Sequence, residues 1–429
     1  MLTAIVISAV TCLAMISAVL FFPKLKIGKL SLGTYWLITL AGAALLLLFK
    51  TVDVGTVAKA LVASTAINPI KILVLFISMT VLSIFLDELG FFSFLANYAL
   101  KRAGDSQLRL FMFLYVTVSV LTVFTSNDII ILSFTPFICY FAKNAHISPI
   151  PYLAAEFVAA NTWSMALIIG NPTNIYLVTS AGGDFITYLT KMILPTLASG
   201  AVAFALLFLT FRKRLSEPVV ATPEDVKLGD RLSLWVGISH LAVCTLVLAV
   251  GSYFNIEMWL VSLSAAVSLF IWTLVISLVR KSRPATLLNC LKRAPWELIP
   301  FILSMFVMVE ALNANGVTQG IYGLLGDSFQ VWKYGITSFL ACNLINNIPM
   351  SVLYSSILAG CGEAAVYATV VGSNLGACLT PIGALAGIMW SSILKGHGLK
   401  FGYLDFLKIG VTVAIPSLLA ALGVLQLIF

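Results

Sequence analysis

The stretch that decides the fold is 110–145, LFMFLYVTVSVLTVFTSNDIIILSFTPFICYFAKNA, in which TSND at 125–128 interrupts two apolar runs. An Asp at the centre of a membrane helix costs roughly 2.5–3.5 kcal/mol on insertion scales. Such residues persist where they face a bundle interior or a water-filled site. A break in the helix also frees backbone N–H and C=O groups, which must find partners. The stretch therefore predicts a broken membrane helix with a polar site at the break.

The whole composition agrees with a membrane protein. The 429 residues are 60% hydrophobic and only 10% charged, whereas a soluble domain carries about 25% charged residues. Apolar blocks at 2–22, 33–49, 187–211 and 257–279 are long enough to span, because about 20 residues cross a bilayer as a helix. We expect roughly ten or more spans. The first block is interpreted as a transmembrane helix rather than a signal peptide, since its basic residues follow it.

Other function classes find little support in the sequence. The seven Cys are scattered and form no CxxC pair, so neither a metal site nor a disulfide framework is predicted. No clustered His, Cys or Ser-His-Asp set indicates an enzyme, and no cofactor is expected. The net charge of +8 is attributed to cytoplasmic loops and not to a nucleic-acid partner.

The distribution of basic residues predicts the topology. Short loops rich in Lys and Arg stay in the cytoplasm, which places both termini outside the cell membrane and gives the two halves opposite orientations. That is the pattern of an inverted-topology repeat. We predict a first repeat over 1–211, a cytoplasmic linker over 212–232 and a second repeat over 233–429. The basic clusters lie at 24–29, 101–109, 212–231, 280–293 and 395–408.

The two halves also resemble each other locally. Three short polar segments recur in the same order in both halves, and each contains Asn or Gly. Three ordered matches with inverted charge topology predict a duplicated fold. The matched segments are 87–90 with 313–316, 125–128 with 344–347, and 161–170 with 374–383.

These breaks predict a solute site at the interface of the repeats. Asn offers both a donor and an acceptor, Gly permits close backbone approach, and the N-terminus of a half-helix favours an anion or an oxygen-rich solute. The alternative is a set of helix kinks that Asn stabilises without any ligand. The predicted solute-binding residues are Ser126, Asn127, Asn161, Thr162, Asn171, Thr173, Asn174, Asn346, Asn347, Ser373, Asn374 and Thr380.

Acidic residues in apolar surroundings are the candidates for ion coupling. Asp128 lies in the break itself and is the first choice for coupling to a proton or cation. Glu88 and Glu310 are further candidates, although Glu88 can instead lie at a membrane surface beside a turn at Gly90. Glu156 is interpreted as a structural residue at the mouth of a hairpin.

The two cores resemble the arsenical pump membrane subunit, ArsB. Residues 75–137, with LSIFLDELGFFSFLANYALKRAG and TSNDIIILSFTPF, look like its first half. Residues 341–415, with LINNIPMSVLY, YATVVGSNLGACLTPIGALAGIMW and the start of GVTVAIP, look like its second half. By this resemblance, Ser126, Asn127 and Asp128 match the first break, Asn346 and Asn347 the second, and Thr380, Pro381 and Gly383 the segment after it.

The resemblance implies an all-α polytopic membrane fold with two inverted-topology repeats, broken transmembrane helices and re-entrant hairpins. Each repeat would contribute scaffold helices and a transport-domain hairpin with a broken helix, and the transport domain would move by an elevator-like step. The implied activity is export of arsenite or antimonite in exchange for protons, with a homodimeric assembly and in some members a soluble ATPase subunit.

Two alternatives within the same superfamily remain open. The NhaD-type sodium/proton antiporters and the sodium-coupled dicarboxylate/citrate carriers share the architecture. The GNPTN stretch at 170–174 is closer to the wider superfamily, and Ser373-Asn374 resembles the Ser-Asn of the carboxylate carriers. No Lys or Arg lies in the breaks, however. This absence favours a neutral solute such as arsenite with H⁺ as the coupling ion, or a carboxylate whose charge is balanced by Na⁺.

Overall fold

The computed structural model describes residues 1–22, 24–27, 30–63, 68–218, 228–251, 254 and 256–429. Within these residues the chain is almost wholly helical, with one antiparallel hairpin of β1 (Lys24–Ile27) and β2 (Leu30–Gly33). Single 3₁₀ turns occur at Ile168–Gly170, Leu358–Gly360 and Pro381–Gly383. The helices are α1 (Leu2–Phe21), α2 (Thr34–Leu48), α3 (Val54–Val62), α4 (Pro69–Glu88), α5 (Phe91–Ala103), α6 (Gln107–Phe124), α7 (Asn127–Asn144), α8 (Ile150–Trp163), α9 (Pro172–Ser180), α10 (Phe185–Leu215), α11 (Arg231–Gly251), α12 (Met258–Val279), α13 (Ala285–Arg293), α14 (Leu298–Ala314), α15 (Val317–Leu325), α16 (Gln330–Ile345), α17 (Asn347–Ile357), α18 (Glu363–Gly376), α19 (Leu385–Gly396) and α20 (Tyr403–Ile428).

Several of these helices can cross a membrane. In the described part of the chain, eight helical segments are long and apolar enough to span, and large apolar side chains such as Leu13, Trp235 and Leu278 face outward. Because an apolar surface of this extent needs lipid around it, the chain is a multi-pass membrane protein. The count falls below the ten spans expected because α2 and most of the helices next to the breaks, α8, α9 and α17 to α19, have 15 residues or fewer.

The helices of the two halves follow the same order. Helices α1 to α10 correspond one by one to α11 to α20, and α6 packs on α8 as α16 packs on α18. The turn before α5 contains Gly90 at φ 76°, and the turn before α15 contains Gly316 at φ 75°. Only glycine adopts such angles without strain. The match predicted between 87–90 and 313–316 is therefore present in the backbone.

The segment between the halves differs in extent from the predicted linker over 212–232. Helix α10 continues through the basic cluster to Leu215, and α11 already begins at Arg231. Residues 219–227 of the linker lie outside the described residues. The division of the chain into two repeats and a linker stays a prediction.

The core lies where the halves meet. Helix α10 packs along α20, α9 packs on α17 and α18, and α7 packs on α19. Each of these pairs joins a helix of the first half to one of the second. The arrangement brings the ends of the short helices from both halves into the buried centre of the molecule, where the candidate solute-binding residues lie.

Candidate functional site

The first break separates α6 from α7. Thr125 and Ser126 are extended between Phe124, the last residue of α6, and Asn127, the first residue of α7. The Nδ2 of Asn127 donates to Oδ1 of Asn161 on α8 at 3.2 Å. The chain therefore has the broken helix that TSND predicts, and Thr125, Ser126 and Asn127 are buried there.

The second break separates α16 from α17 and is one residue shorter. Asn346 alone lies between the helices, with φ 73° and ψ 153°. Its Oδ1 accepts from the backbone N–H of Ile348 at 3.3 Å, and its Nδ2 donates to the carbonyl oxygen of Ile382 at 2.9 Å. Asn346 therefore has a strained backbone conformation that residues other than glycine rarely adopt.

This difference in length changes the expected pairing of the two breaks. The match between 125–128 and 344–347 paired Asn127 with Asn346 and Asp128 with Asn347. By helix position, however, Asn127 and Asn347 are both first residues, of α7 and α17. The two breaks therefore correspond one residue later than predicted, and the counterpart of Asp128 is Ile348.

Two asparagines end the helices α8 and α18 in the same way. Asn161 and Asn374 are each the third residue from the end of their helix. The Nδ2 of Asn161 donates to the carbonyl oxygen of Phe157 at 2.9 Å, and that of Asn374 to the carbonyl oxygen of Val370 at 2.8 Å. Both side chains are fully buried. The predicted match between 161–170 and 374–383 holds for this side-chain contact as well as for the sequence.

Each of these helices is followed by a tight turn that ends in glycine. Gly170 closes the turn after α8, where a Cβ atom would collide with the backbone carbonyl of Ser164. Gly383 closes the turn after α18, where a Cβ atom would lie 2.8 Å from the carbonyl oxygen of Gly376. Since such a distance is far below van der Waals contact, both turns need glycine for close backbone approach.

Asn374 joins the two halves through its side chain. Its Oδ1 accepts from Nδ2 of Asn171 and from Oγ of Ser164, both at 2.8 Å. Its Nδ2 donates to Oδ1 of Asn174 at 2.6 Å. Thr173 extends the network, because its Oγ1 donates to Oδ1 of Asn171 at 3.1 Å. Three of the predicted residues of the first half therefore share one buried network with Asn374, and Ser164 is a further member that the sequence did not indicate.

Thr380 has a partner that the sequence reasoning missed. Its Oγ1 donates to Oδ1 of Asn343 on α16 at 2.6 Å. The Nδ2 of Asn343 in turn donates to the carbonyl oxygen of Gly376 at 3.0 Å. The signal that could have identified Asn343 is an Asn one turn before the break, within the apolar run FLACNLI at 339–345.

Four other predicted residues have polar atoms without a hydrogen-bond partner among the described residues. These atoms are buried, and they come from both halves of the chain. A buried polar atom without a partner costs about 1–3 kcal/mol, so these positions are where a solute would be stabilised most. The atoms are Oγ of Ser126, Oγ1 of Thr162, Oδ1 of Asn347 and Oγ of Ser373.

The three candidate coupling residues lie in two kinds of environment. Asp128, the second residue of α7, is half-buried, and its carboxylate has no hydrogen bond or ion pair within the described part of the chain. Glu310 on α14 is also half-buried and unpaired there. Glu88 instead accepts from Nη1 of Arg293 at 2.5 Å and from Nδ2 of Asn289 at 2.8 Å. Its predicted coupling role would require this ion pair to open.

Glu156 does not lie at the mouth of a hairpin, as the sequence suggested. It is fully buried in the middle of α8. Its position follows from the burial of nearly all of α8, which packs on α6, α7, α10 and α18. In the described ranges no group of His, Cys, Asp and Glu side chains could hold a metal ion.

Comparison with known proteins agrees with this architecture. Residues 33–369 match the family described as citrate transporter, CitMHS. The arsenical pump membrane protein of Escherichia coli (strain K12) is 28% identical over 377 residues, which cover 82% of this chain and 85% of that protein. The putative arsenical pump membrane protein of Bacillus subtilis (strain 168) is 25% identical over 366 residues, covering 76% and 80%. These matches confirm the resemblance that the two cores indicated.

A solved structure shows the same fold. The YdaH transporter of Alcanivorax borkumensis aligns with a TM-score of 0.59, covering 99% of this chain and 97% of that one, at 13% sequence identity. At this level of identity the similarity concerns the fold alone. The polytopic helical fold predicted from the sequence is therefore confirmed.

Proposed function

This chain belongs to the citrate transporter family, CitMHS, and we propose that it is a proton-coupled carrier that exports arsenite or antimonite. It is a multi-pass membrane transporter, like the relatives that match most of its length. The proposal for the solute starts from those relatives, whose names describe arsenical pumps. It then depends on whether the buried polar groups suit such a solute.

The observation that carries the proposal is the set of unpartnered polar atoms at the helix breaks. Oγ of Ser126, Oγ1 of Thr162, Oδ1 of Asn347 and Oγ of Ser373 are buried without a partner in the described residues. They offer hydroxyl groups and one amide acceptor. Arsenite at neutral pH is an uncharged trihydroxide, which donates and accepts hydrogen bonds on all sides. Hydroxyl and amide groups of this kind suit it without a counter-charge.

The charge of the surroundings supports the same choice. The segments 125–128, 161–174, 343–349 and 372–383 contain no Lys, Arg or His. A di- or tricarboxylate would have to lose water there without a cationic partner, which is costly. The sequence segments that surround the site are therefore better suited to a neutral hydroxide.

The packing of the helices suggests how the solute would move. Helices α6 to α10 pack closely with α16 to α20, while α1, α2, α4, α11, α12 and α14 pack mainly with one another. We assign the first group to a mobile transport body and the second to a scaffold, whose α4 and α14 touch α7 and α17. An elevator-like displacement of the first group would carry the solute across without separating the halves of its site.

Asp128 is the proposed coupling group. It is the acid closest in sequence to the solute-binding residues of the first break, and it has no cationic partner in the described residues. A proton on Asp128 and a solute at the adjacent Asn127 would occupy the site alternately, which produces exchange. The termini are assigned to the outside, and a homodimer and a soluble ATPase partner are further parts of this proposal.

Transport by purified protein in liposomes tests the proposal. Arsenite uptake into vesicles should rise when the interior is made acidic, and it should not require Na⁺. Asp128→Asn should lower this gradient-driven uptake by about tenfold or more, because an amide cannot carry a proton. Asp105→Asn, at an exposed acid in the turn after α5, is the matched control and should be silent. Uptake that ignores the pH gradient would refute proton coupling.

Sodium-coupled transport of a carboxylate is the second candidate. It is favoured by the name of the family and by the free hydroxyl of Ser373 beside Asn374. The same vesicles discriminate the two functions. Citrate or succinate uptake that requires Na⁺, together with no arsenite uptake, would replace the first proposal by the second, and Na⁺-driven loss of a pH gradient without any solute would indicate a sodium/proton antiporter.

A further inference from the structure

Glu156 is the one Asp or Glu with no exposed surface among the residues that the structure describes. It lies in α8, five residues before Asn161. At a rise of about 1.5 Å per residue it is therefore roughly 7–8 Å along the helix axis from the solute site. Burying a carboxyl group at this depth costs free energy unless hydrogen bonds or an opposite charge compensate it. Residues of this kind are therefore usually functional.

The contacts of Glu156 come from both halves of the chain. Oγ1 of Thr135 on α7 donates to Oε1 at 2.8 Å, and Nε1 of Trp390 on α19 donates to Oε2 at 3.3 Å. Trp390 is itself held by aromatic contacts, with its ring centroid 5.2 Å from that of Phe157. The carboxyl group therefore lies in the interface between α7, α8 and α19.

No cationic side chain among the described residues compensates Glu156. Cys139, one turn beyond Thr135 on α7, is the titratable group close enough to sense its charge. Tyr152 on α8 is turned away and donates to Gln107 at 2.8 Å. Several charged and titratable groups of the other packed helices are engaged elsewhere or exposed. Tyr115 of α6 donates to the carbonyl oxygen of Gly200, and Lys191 of α10 lies over the ring of Phe429. Glu363 of α18 and Lys395 of α19 are exposed.

The two contacts suit a proton better than a metal cation. The indole N–H of Trp390 is a donor only, and it points at Oε2, so a cation at that oxygen would meet a positive hydrogen. The hydroxyl of Thr135 can donate to the carboxylate or accept from the carboxylic acid. Both protonation states of Glu156 are therefore satisfied by the same two neighbours, and the group can gain or lose a proton without rebuilding its surroundings.

We propose that Glu156, held between Thr135 of α7 and Trp390 of α19, is a second proton-binding site that is occupied and emptied in each transport cycle. The inference rests on the proposed proton-coupled function. Trp390 belongs to the helix that follows the tight turn ending at Gly383. A local shift of α19 against α7 and α8, within the body that is displaced as a unit, would withdraw the indole N–H when the solute binds or leaves and so change the proton occupancy of Glu156. The proton occupancy of Asp128 would then depend on whether the solute is bound. The proton occupancy of Glu156 would depend on the contact between α7 and α19.

The first test separates exchange from gradient-driven transport. Glu156→Gln keeps the size of the side chain and an oxygen for Trp390, but it cannot carry a proton. Solute exchange without net proton movement should stay within about twofold of the wild type, while accumulation driven by a pH gradient should fall by about tenfold or more. Glu363→Gln, at an exposed position on α18, is the matched control and should leave both rates unchanged.

A structural role predicts a different result. If Glu156 only links three helices by hydrogen bonds, a glutamine should replace it without loss of transport. Gradient-driven accumulation at the wild-type level in Glu156→Gln would therefore overturn the proposal. Thermal unfolding and gel filtration of the variant establish that it is folded. If exchange is lost together with accumulation in a folded variant, Glu156 is a structural residue and the proposal also fails.

Infrared spectroscopy makes the inference independent of the transport assay. A pH titration of the purified protein should show the C=O band of a buried carboxylic acid that is present in the wild type and in Asp128→Asn but absent in Glu156→Gln. A Glu156→Gln spectrum identical to that of the wild type would refute the inference even if transport is proton-coupled. If the band titrates while arsenite uptake ignores the pH gradient, the proposed function fails and Glu156 remains a proton-binding group.

Discussion

The break between α6 and α7 and the break between α16 and α17 occupy the same place in the order of elements, but they differ in length and charge. The first contains Thr125 and Ser126 in extended conformation and carries Asp128 at the second position of the next helix. The second consists of Asn346 at φ 73°, and Ile348 takes the position of the acid. The repeat therefore duplicates the backbone arrangement but places a titratable group on one side only. The two copies share the geometry of the break, and the carboxyl group that the proposed proton coupling needs lies in the first copy.

The same asymmetry appears at the ends of α8 and α18. Asn161 contacts Asn127 and the carbonyl oxygen of Phe157, whereas Asn374 contacts three polar side chains of the opposite half. The second copy of this asparagine thus holds the halves together, while the first copy supports its own half. Substitutions at matched positions can measure how far the two copies have diverged.

The largest difference is expected between Asn374→Ala and Asn161→Ala. Removal of Asn374 leaves buried groups of Asn171 and Asn174 without a partner, and each such group costs about 1–3 kcal/mol. We expect a loss of stability of roughly 2–4 kcal/mol and no measurable transport. Asn161→Ala leaves only the side-chain amide of Asn127 without a partner, so the loss of stability should be about half as large. Thermal unfolding and vesicle transport measure both. Equal effects would show that the copies are equivalent after all.

Some features of the fold and of the candidate site could be predicted from the sequence because the residues that form them are recognisable in it. Gly90, Gly316, Asn161 and Asn374 were paired correctly because glycine and asparagine are visible in an apolar sequence and their spacing repeats. Asn343 was missed because its counterpart in the first half is not an Asn, so no repeat pointed to it.

Features that depend on long-range packing or on single backbone angles could not be predicted. The contact of Asn374 with Asn171 joins residues 203 positions apart, and no local pattern encodes it. The register of the second break was wrong by one because a single positive φ at Asn346 replaces two extended residues. Glu156 was misplaced because helix α8 is buried on all sides, which hydropathy alone does not reveal.

A double substitution can move the carboxyl group of Asp128 from the first break to the second. Asp128→Asn combined with Ile348→Asp places the carboxyl group at the corresponding helix position. Ile348 is only 6% exposed, whereas Asp128 is half-buried. Because a carboxylate at the more buried position is harder to charge, we expect no rescue and gradient-driven transport that remains at least about tenfold below the wild type. Recovery of gradient-driven transport in the double variant would mean that the helix position of the acid, and not its burial, decides coupling.

Moderate to small effects on stability are expected at the residues that form the breaks. Asn346→Ala keeps an unfavourable φ and loses the contact with the carbonyl oxygen of Ile382, so it should destabilise the protein by about 1–3 kcal/mol. Asn346→Gly accommodates the angle and should cost less. Ser126→Ala removes a buried hydroxyl that has no partner in the described residues, so the unliganded protein should be no less stable than the wild type.

Ser126→Ala should nevertheless weaken solute binding. If the hydroxyl of Ser126 contacts the solute, its removal loses one hydrogen bond, which corresponds to an affinity lower by roughly threefold to tenfold. A binding titration by thermal shift with arsenite measures this, and Ser216→Ala at an exposed position after α10 is the matched control. Unchanged affinity together with unchanged stability would remove Ser126 from the site, and the first break would then contribute its acid but not its hydroxyl.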